Sequence, residues 1–378
     1  MRIGTLLCGL SLLAATAEAQ SSQFEIRGLG LPSRDASVRS LGTGGSFSMF
    51  DGTSQLSPAS VGMLSTLTAT FAGTTEWRQW RAPASFANLR DNRFPYFLVG
   101  GPIKRTKMVL AGGYSSYTDR DFDVVVTDTI DLRGQPVGIT DSLSSTGGIG
   151  DVQMTAAFTP SPRWILGGSL HLLPGSSRMK LRRVYTDTTY HNQIERAEVA
   201  YKSYGIALGV VGRLAPRISV AAVARHDAPT QESIDSLFTY QVELPYTFGG
   251  AILLAPSSRL SVAAQAIYRT WSSASQELVA LGGVGSRNTI DLSAGLEFRT
   301  HLYVDDLPIR FGVRYANLPF ALSAGDWPNE LGLSLGTGMR FARGHGGVDL
   351  ALQEAYRTDG AGRKEYATLF SIAVILRP

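Results

Sequence analysis

Segments of alternating apolar and polar residues in the C-terminal two thirds of the chain constrain its fold more than any other sequence feature. In residues 290–298 the apolar side chains at alternate positions share one side of an extended strand, and small or charged ones share the other. Residues 331–341 repeat the pattern, with Thr337 as the exception. A transmembrane antiparallel β-barrel requires such strands, because one strand face meets lipid and the other the lumen. A soluble β-sandwich alternates similarly, so the pattern alone leaves both folds open.

The N-terminus predicts export. Arg2 precedes an apolar stretch, residues 3–15, that is too short to span a bilayer, and Ala17-Glu18-Ala19 has the small-x-small form of a signal peptidase site. We therefore expect a signal peptide at residues 1–19, which would remove Cys8, the only cysteine. Outside it no run of 18 apolar residues occurs, which argues against membrane-spanning helices. The exported chain is then either soluble or a barrel in the cell outer membrane.

Composition agrees with a barrel. Charged residues make up 17% of the chain, against about a quarter in typical soluble domains, while the mean hydropathy is only +0.02. The net charge of +4 is modest, and no basic run with interleaved aromatics indicates nucleic acid as a partner. No histidine or cysteine spacing indicates a metal, and we expect no cofactor.

Read backwards from Pro378, the alternation predicts about 14 strands. They lie near residues 366–376, 347–357, 331–341, 309–316, 289–299, 260–270, 241–254, 218–226, 198–213, 164–172, 147–158, 106–117, 94–101 and 64–81. Short turns such as 159–163, 215–217 and 255–259 contain proline, which needs no ladder donor. The alternate connections, near 118–146, 173–197, 227–240, 271–288 and 317–330, are longer and polar. Bacterial barrels place short turns in the periplasm and long loops outside.

This assignment of strands predicts where two sets of side chains lie. Several aromatic residues lie near strand ends, where either an interfacial girdle or chance would put them: Trp77, Trp80, Trp164, Tyr268, Trp271, Tyr315, Trp327 and Tyr356. Arg310 and Arg314 alternate with apolar neighbours and should point into the lumen, where Asp291 or Glu297 would pair with them.

The segment before the first strand, residues 20–63, lacks sustained alternation. About 45 residues without a core of their own fold only against another surface, and a barrel lumen supplies one. We predict that residues 20–63 form a plug and residues 64–378 the barrel. A mobile periplasmic tail is the alternative.

This segment contains Leu41-Gly42-Thr43-Gly44-Gly45-Ser46-Phe47, then Asp51, then Leu56-Ser57-Pro58-Ala59-Ser60-Val61-Gly62. It resembles the N-terminal hatch signature of the FadL family of outer-membrane transporters (OmpP1/FadL/TodX), in which L-G-x-G-G-A-F leads to N-P-A-G. Ser57 and Ser60 depart from the usual asparagine and glycine.

Two further stretches are similar to the same family. One is Leu244-Pro245-Tyr246-Thr247-Phe248-Gly249-Gly250 with Arg269-Thr270-Trp271-Ser272, and the other is residues 307–315 followed by Leu318-Pro319-Phe320.

The resemblance implies a 14-stranded barrel blocked by a hatch, through which hydrophobic solutes such as long-chain fatty acids or hydrocarbons are taken up. Some members release solute sideways at a kinked strand, and residues 147–150 are the candidate here. We expect Leu41, Gly42, Gly44, Gly45, Asp51, Pro58 and Ala59 to form the hatch motif. Phe47, Met49 and Phe50 are candidates for solute contact, and Arg310 or Arg314 for binding a carboxylate head group. Wall packing and structural ion pairs would explain these five residues equally well.

The sequence gives little sign of an enzyme. Ser169 and His171 follow two glycines but do not form a nucleophile elbow. The main alternative to uptake is an outer-membrane barrel that transports nothing and acts as a docking subunit of a secretion or surface-assembly system, with protein partners at its extracellular loops. In either case outer-membrane lipid and lipopolysaccharide would surround the barrel.

Overall fold

The computed structural model describes residues 23–34, 36–82, 85–234, 238–280, 283–300 and 307–378. The predicted signal peptide lies outside these residues. Within them, one sheet contains 18 strands, each paired antiparallel with its neighbours. The strands are β1 (Leu31–Pro32), β2 (Thr68–Ala82), β3 (Ser85–Pro102), β4 (Met108–Asp119), β5 (Phe122–Leu132), β6 (Gln135–Ser161), β7 (Trp164–Tyr185), β8 (Gln193–Ala215), β9 (Ile218–Asp227), β10 (Thr230–Ile234), β11 (Phe238–Val242), β12 (Thr247–Leu254), β13 (Leu260–Arg269), β14 (Thr289–Thr300), β15 (Leu307–Asn317), β16 (Asn329–Phe341), β17 (Gly346–Thr358) and β18 (Lys364–Leu376).

Fourteen of these strands close into a barrel, as the alternation predicts. Around the barrel they run β2, β3, β4, β6, β7, β8, β9, β12, β13, β14, β15, β16, β17 and β18, and β18 pairs with β2 to close it. The register of the closing pair sets Phe370 opposite Thr75 and Leu376 opposite Ala69. We call the end with short connections, where β2 begins and β18 ends, the turn end, and the opposite end the loop end.

The two faces of the barrel wall differ in polarity. Leu292, Phe311 and Leu333, on three adjacent strands, project outward and are 43–52% exposed. Their neighbours Ser293 and Ser334 point inward and are buried. Such outward rows form an apolar band around the barrel, as a lipid-facing surface does. Among the described residues, no helix has the length and apolar character needed to cross a membrane.

The N-terminal segment lies inside the barrel and is built from short helices. Helix α1 (Val38–Leu41) is accompanied by 3-10 helices at Gln23–Glu25, Ser48–Phe50 and Pro58–Met63. Helix α2 (Ser275–Ala280) and two more 3-10 helices, Trp271–Ala274 and Ala342–Gly344, belong to connections between barrel strands. A barrel lumen is therefore plugged by the segment that the sequence predicts as a hatch.

Inward-facing glycines of the wall let the hatch backbone approach closely. A Cβ atom at Gly312 on β15 would lie 2.0 Å from the carbonyl carbon of Thr43. A Cβ atom at Gly167 on β7 would lie 2.4 Å from the backbone nitrogen of Ala59. Real Cβ atoms do not approach this closely, so hatch and wall fit only because these positions lack side chains.

Several connections contain more regular structure than the sequence predicts. The connection near 118–146 contains β5 and the first half of β6, that near 173–197 contains extensions of β7 and β8, and that near 227–240 contains most of the β10–β11 hairpin. Valine and threonine are frequent in 122–132, and their β-branched side chains favour strands despite the polar neighbours. The predicted strand 241–254 begins only at Thr247, because Leu244 turns into the lumen and Pro245 lacks a ladder donor.

The aromatic residues near strand ends do not all face outward, so an interfacial girdle is wrong for two of them. Trp77, Trp164 and Tyr268 project outward and are 39–42% exposed. Trp80 and Trp271 are each only 1% exposed, because their rings pack edge-on against Phe24 and Phe320 respectively.

Candidate functional site

The glycine-rich hatch motif is explained by backbone geometry. Gly44 and Gly45 have φ angles of +69° and +97°, a region that favours glycine. Gly42 faces the wall, where its Cβ would lie 2.9 Å from the Cα atom of Gly336. Leu41, partly buried, packs with the apolar cluster around Val38. The motif therefore forms a tight turn held against β15 and β16.

Asp51 ties two parts of the hatch together. Its carboxylate accepts hydrogen bonds from the Ser37 hydroxyl at 2.6 Å and from the Thr53 backbone N–H at 3.0 Å. Burial alone would raise the pKa of Asp51, but the charge of Arg39 and these hydrogen bonds hold it below its ordinary value. The acidic residue of the motif is thus a charged structural link.

The second half of the motif forms a 3-10 helix with Pro58 in its first turn and Ala59 fully buried. Ser57 and Ser60, the two departures from the family signature, are both buried. The Ser60 hydroxyl donates to the Ser57 carbonyl at 2.7 Å. The turn is therefore formed with serine at both positions.

The three apolar hatch candidates pack against protein. Met49 and Phe50 belong to a cluster with Val223 and Ile267 of the wall. Phe47 is 2% exposed, and the Arg39 guanidinium lies 5.9 Å from its ring centroid. No described cavity is lined by these three side chains.

Arg310 and Arg314 point inward, and each pairs with the carboxylate expected of it. Arg310 Nε donates to Glu297 at 2.9 Å, and Arg314 Nη2 lies 2.6 Å from Asp291. Hatch arginines join the same groups. Arg39 binds Glu297 through two hydrogen bonds of 2.9 and 3.0 Å, and Arg34 lies 2.5 Å from Glu330, which also pairs with Arg314. These ion pairs fasten the hatch to the wall.

A cavity of about 100 Å³ lies between the hatch and the wall formed by β2, β3, β17 and β18; we call it the hatch cavity. Its apolar lining comes from both sides, namely Leu31, Ala36, Val38, Leu41, Ala72, Tyr96 and Leu369. Its polar side contains Arg78, Arg93 and Arg357 together with Glu76 and Asp119. An apolar body would find a matching surface in this cavity, whereas each of the three arginines is already paired with a carboxylate.

Buried charges of the hatch and wall meet beside the hatch cavity. Glu25 of the hatch is fully buried and lies 3.0 Å from Arg78 and 3.4 Å from Arg93. Burial, opposed by the two arginines, raises the pKa of Glu25 to about 8. Arg93 also pairs with Asp119 at 2.6 Å.

A second cavity, which we call the wall gap, lies in the barrel wall beside the hatch cavity. Its volume is about 380 Å³, and its lining includes Phe94, Pro174 and residues 147–150. The ladder between β3 and β4 starts only at Tyr96 and Ser115, and the β4–β6 ladder shifts register after Ser116. Within the described residues, the loop-end half of β3 therefore has no partner on β4.

The glycines of β6 give the wall gap its shape. Gly147 has a φ angle of +116°, and a Cβ atom there would lie 2.1 Å from the Ser176 carbonyl oxygen. Arg93 and Asp119 line both the hatch cavity and the wall gap. Their ion pair separates the two spaces.

An apolar cluster closes the lumen above the hatch at the loop end. It brings Leu29 of the hatch together with Leu173, Tyr201 and Leu244, and with Trp271 and Phe320 from loop-end connections. Because these side chains are at most 4% exposed, a solute entering from this end must displace some of them.

Ser169, His171 and Asp151 form a hydrogen-bonded chain that sequence reasoning did not find. Ser169 Oγ lies 2.7 Å from His171 Nε2, and His171 Nδ1 lies 2.9 Å from Asp151 Oδ1. All three are at most 6% exposed. Asp151 also pairs with Arg225 at 2.6 Å, and Ser169 lies within the β6 and β8 ladders. A substrate has no access to the hydroxyl, and ladder-bonded amides offer no oxyanion hole, so we interpret the chain as structural.

The described residues contain no group of three or more histidine, cysteine, aspartate or glutamate side chains that could hold a metal ion. The importance of Arg34, Arg39 and Arg93 is not evident from the sequence. In the sequence these residues are recognisable only as cations within the hatch or at an inward strand position. The carboxylates with which they pair are distant in sequence.

Neither a scan of protein-family models nor a search of curated proteins finds a match. Solved structures do match. A Pseudomonas aeruginosa FadL homologue superposes with a TM-score of 0.64 at 13% identity, covering 92% of this chain and 99% of that one. The chain has the fold of the FadL-like outer-membrane channels.

Two further channels share the FadL-like fold with this chain. The Ralstonia pickettii toluene transporter TbuX matches with a TM-score of 0.60 at 12% identity, covering 91% of this chain and 99% of that one. The CymD monoaromatic hydrocarbon channel matches with a TM-score of 0.56 at 14% identity, covering 93% and 99%. Each of the three matches covers 91–93% of this chain, so the likeness in fold extends over most of its length.

Proposed function

We propose that the protein lies in the outer membrane, with its turn end in the periplasm, and takes up hydrophobic solutes. The apolar outer band supports the membrane location, and the alternation of short turns and long loops supports the orientation. Export by a signal peptide at residues 1–19 belongs to the same proposal, as does the division into a hatch at 20–63 and a barrel at 64–378.

The observation that carries the proposal is the contact between the hatch cavity and the wall gap. A solute enters through the apolar cluster at the loop end and reaches the hatch cavity. It then leaves sideways past Arg93 and Asp119 through the wall gap beside residues 147–150. An apolar route is needed because a poorly soluble hydrocarbon gains no transfer free energy in a water-filled pore. In an apolar route each buried methylene gains about 0.8 kcal/mol.

The size of the hatch cavity favours small hydrocarbons. Its volume is about 100 Å³, whereas an engineered apolar cavity of about 150 Å³ holds one benzene molecule. A single-ring or short aliphatic hydrocarbon therefore needs a small adjustment of the hatch, and a long-chain fatty acid needs a large one. For a fatty acid, Arg78 and Arg93 are nearer to the cavity than the Arg310 candidate, while Phe47, Met49 and Phe50 would make contact only after the hatch moves.

The test fills the hatch cavity. Ala72 lines it from β2, and Ala72→Phe places a ring in the space. Ala294→Phe on the exposed outer face of β14 is the matched control. Cells lacking other hydrocarbon channels, and expressing each variant at equal level as a heat-modifiable barrel, are supplied with radiolabelled toluene or oleate.

We expect Ala72→Phe to lower the uptake rate at least about fivefold, corresponding to about 1 kcal/mol, and Ala294→Phe to leave it unchanged. If Ala72→Phe takes up solute at the wild-type rate, the proposed route is wrong. If wild-type cells take up neither solute and the barrel instead co-purifies with protein partners, the docking alternative replaces the proposal.

A further inference from the structure

The turn end of the barrel is surrounded by cations that the uptake route does not use. The connections after β3, β6, β8, β12 and β16 each contribute at least one exposed basic side chain. We call the following six residues the basic collar: Lys104, Arg105, Arg163, Arg217, Arg259 and Arg343. None of the six forms an ion pair with another described residue, so their charges are free for an external partner.

The same turns contain no acidic residue. Residues 102–108, 159–164, 213–218, 255–260 and 342–346 include neither aspartate nor glutamate. The sixth short connection, residues 301–306, contains Asp305 and Asp306 and lies outside the described residues. Connections at the loop end carry both signs, as Asp128 beside Arg133 illustrates. The charge asymmetry is therefore local to the turn end.

Two collar arginines occupy backbone positions that favour glycine. Arg105 and Arg343 have φ angles of +64° and +57°. A non-glycine residue is strained in this region, and asparagine or glycine would be accepted more readily. Arginine at both turns is thus not explained by the turn geometry, and Arg133 at the loop end has a similar φ angle of +58°.

The collar lies at the edge of the apolar outer band. Arg163 immediately precedes Trp164, Arg217 precedes Ile218, and outward Phe341 lies two residues before Arg343. These three apolar side chains are 36–45% exposed on the outer face. Cations placed next to the last lipid-facing residues lie at the level of lipid head groups.

We propose that the basic collar binds the phosphate groups of anionic phospholipids in the leaflet at the turn end. Its cations come from five turns distributed around the rim, which fits a ring of lipids better than a protein docked on one side. Lipopolysaccharide is confined to the opposite face if the turn end is periplasmic. The anionic phospholipids at this end would hold the barrel at a defined depth and orientation.

The test measures lipid preference in bilayers. The full mature chain is reconstituted in phosphatidylcholine containing brominated phosphatidylglycerol or brominated phosphatidylcholine, and quenching of tryptophan fluorescence gives the relative affinity of the surrounding lipid sites. Trp164 lies beside Arg163 and reports on the collar. The collar variant combines Arg163→Gln, Arg217→Gln and Arg259→Gln.

The control variant removes three exposed loop-end cations, Arg133→Gln, Arg182→Gln and Arg196→Gln. We expect wild type and control to prefer phosphatidylglycerol by about threefold or more at low salt. The collar variant keeps three of the six collar cations and should show a clearly smaller preference than the control variant.

A salt titration of the wild-type protein tests the proposal without depending on the folding of any variant. The preference should disappear by about 0.5 M NaCl, where the screening length falls to about 4 Å. Equal affinity for the two lipids in wild type, or a preference in the collar variant as large as that of the control variant, overturns the proposal. The first of these results would direct attention to an acidic protein as the partner of the turn end.

Discussion

The close approach of hatch and wall at Gly312 predicts how easily the hatch can be displaced. In Gly312→Ala the new methyl carbon would lie 2.0 Å from the Thr43 carbonyl carbon and 2.2 Å from the Gly44 nitrogen. Ordinary contact begins at 3.4 Å, so the hatch backbone must retreat by about 1.4 Å. Inserting a methyl group into a packed interface typically costs about 1–3 kcal/mol. That cost raises the population of a displaced hatch by about 5- to 150-fold.

A single cysteine measures this population. The mature chain has none if Cys8 is removed with the signal peptide, so Ser46→Cys, at a fully buried hatch position, reports alone. The rate of modification by a water-soluble maleimide is proportional to the fraction of time that the hatch is displaced. Gly250→Ala is the matched control, because a Cβ atom there meets nothing within 4 Å.

We expect the labelling rate to rise at least about fivefold in Gly312→Ala and to stay at the parental rate in Gly250→Ala. Heat-modifiable migration must show an intact barrel in both variants. Equal labelling rates in the two intact variants would refute the reasoning, since the hatch would then not be seated against Gly312.

Two further predictions concern buried groups. The raised pKa of Glu25, about 8 against an ordinary 4.5, means that its contribution to hatch seating is complete below about pH 4.5 and is lost as pH rises through about 8. The measurement is the rate of trypsin cleavage at Arg27 in wild type divided by the rate in Glu25→Gln. This ratio should increase between about pH 6 and pH 9, and a constant ratio would contradict the expectation. The inaccessible Ser169–His171–Asp151 chain should not react with a fluorophosphonate, and mass-spectrometric detection of the adduct on Ser169 would show that the hydroxyl is a working nucleophile.

Strand alternation and hatch glycines were readable from the sequence because they reflect local rules. A strand between lipid and lumen must alternate, so the 14 barrel strands follow from residues such as Leu292 and Ser293 without any knowledge of their partners. Gly44 and Gly45 mark a turn because their φ angles exclude most other residues. The inward arginines and their acidic partners one strand away, Arg310 with Glu297 and Arg314 with Asp291, were equally predictable from register.

Contacts between distant segments were not predictable in the same way. The hatch cavity depends on where Val38 and Leu41 lie relative to Ala72, and the wall gap depends on a register shift after Ser116. Trp80 and Trp271 look like girdle residues in sequence, yet their strands or loops turn them into the lumen.

The sequence by itself predicted a barrel with about 14 strands and favoured an N-terminal plug, because alternation and turn chemistry are properties of neighbouring residues. Only the tertiary structure decided which hatch residues meet which wall residues. Arg39 reaches Glu297 across 258 positions of sequence, and Ser169 and Asp151 meet through His171 from two strands. Such pairings depend on strand register and lumen diameter, which are set only when the whole sheet closes.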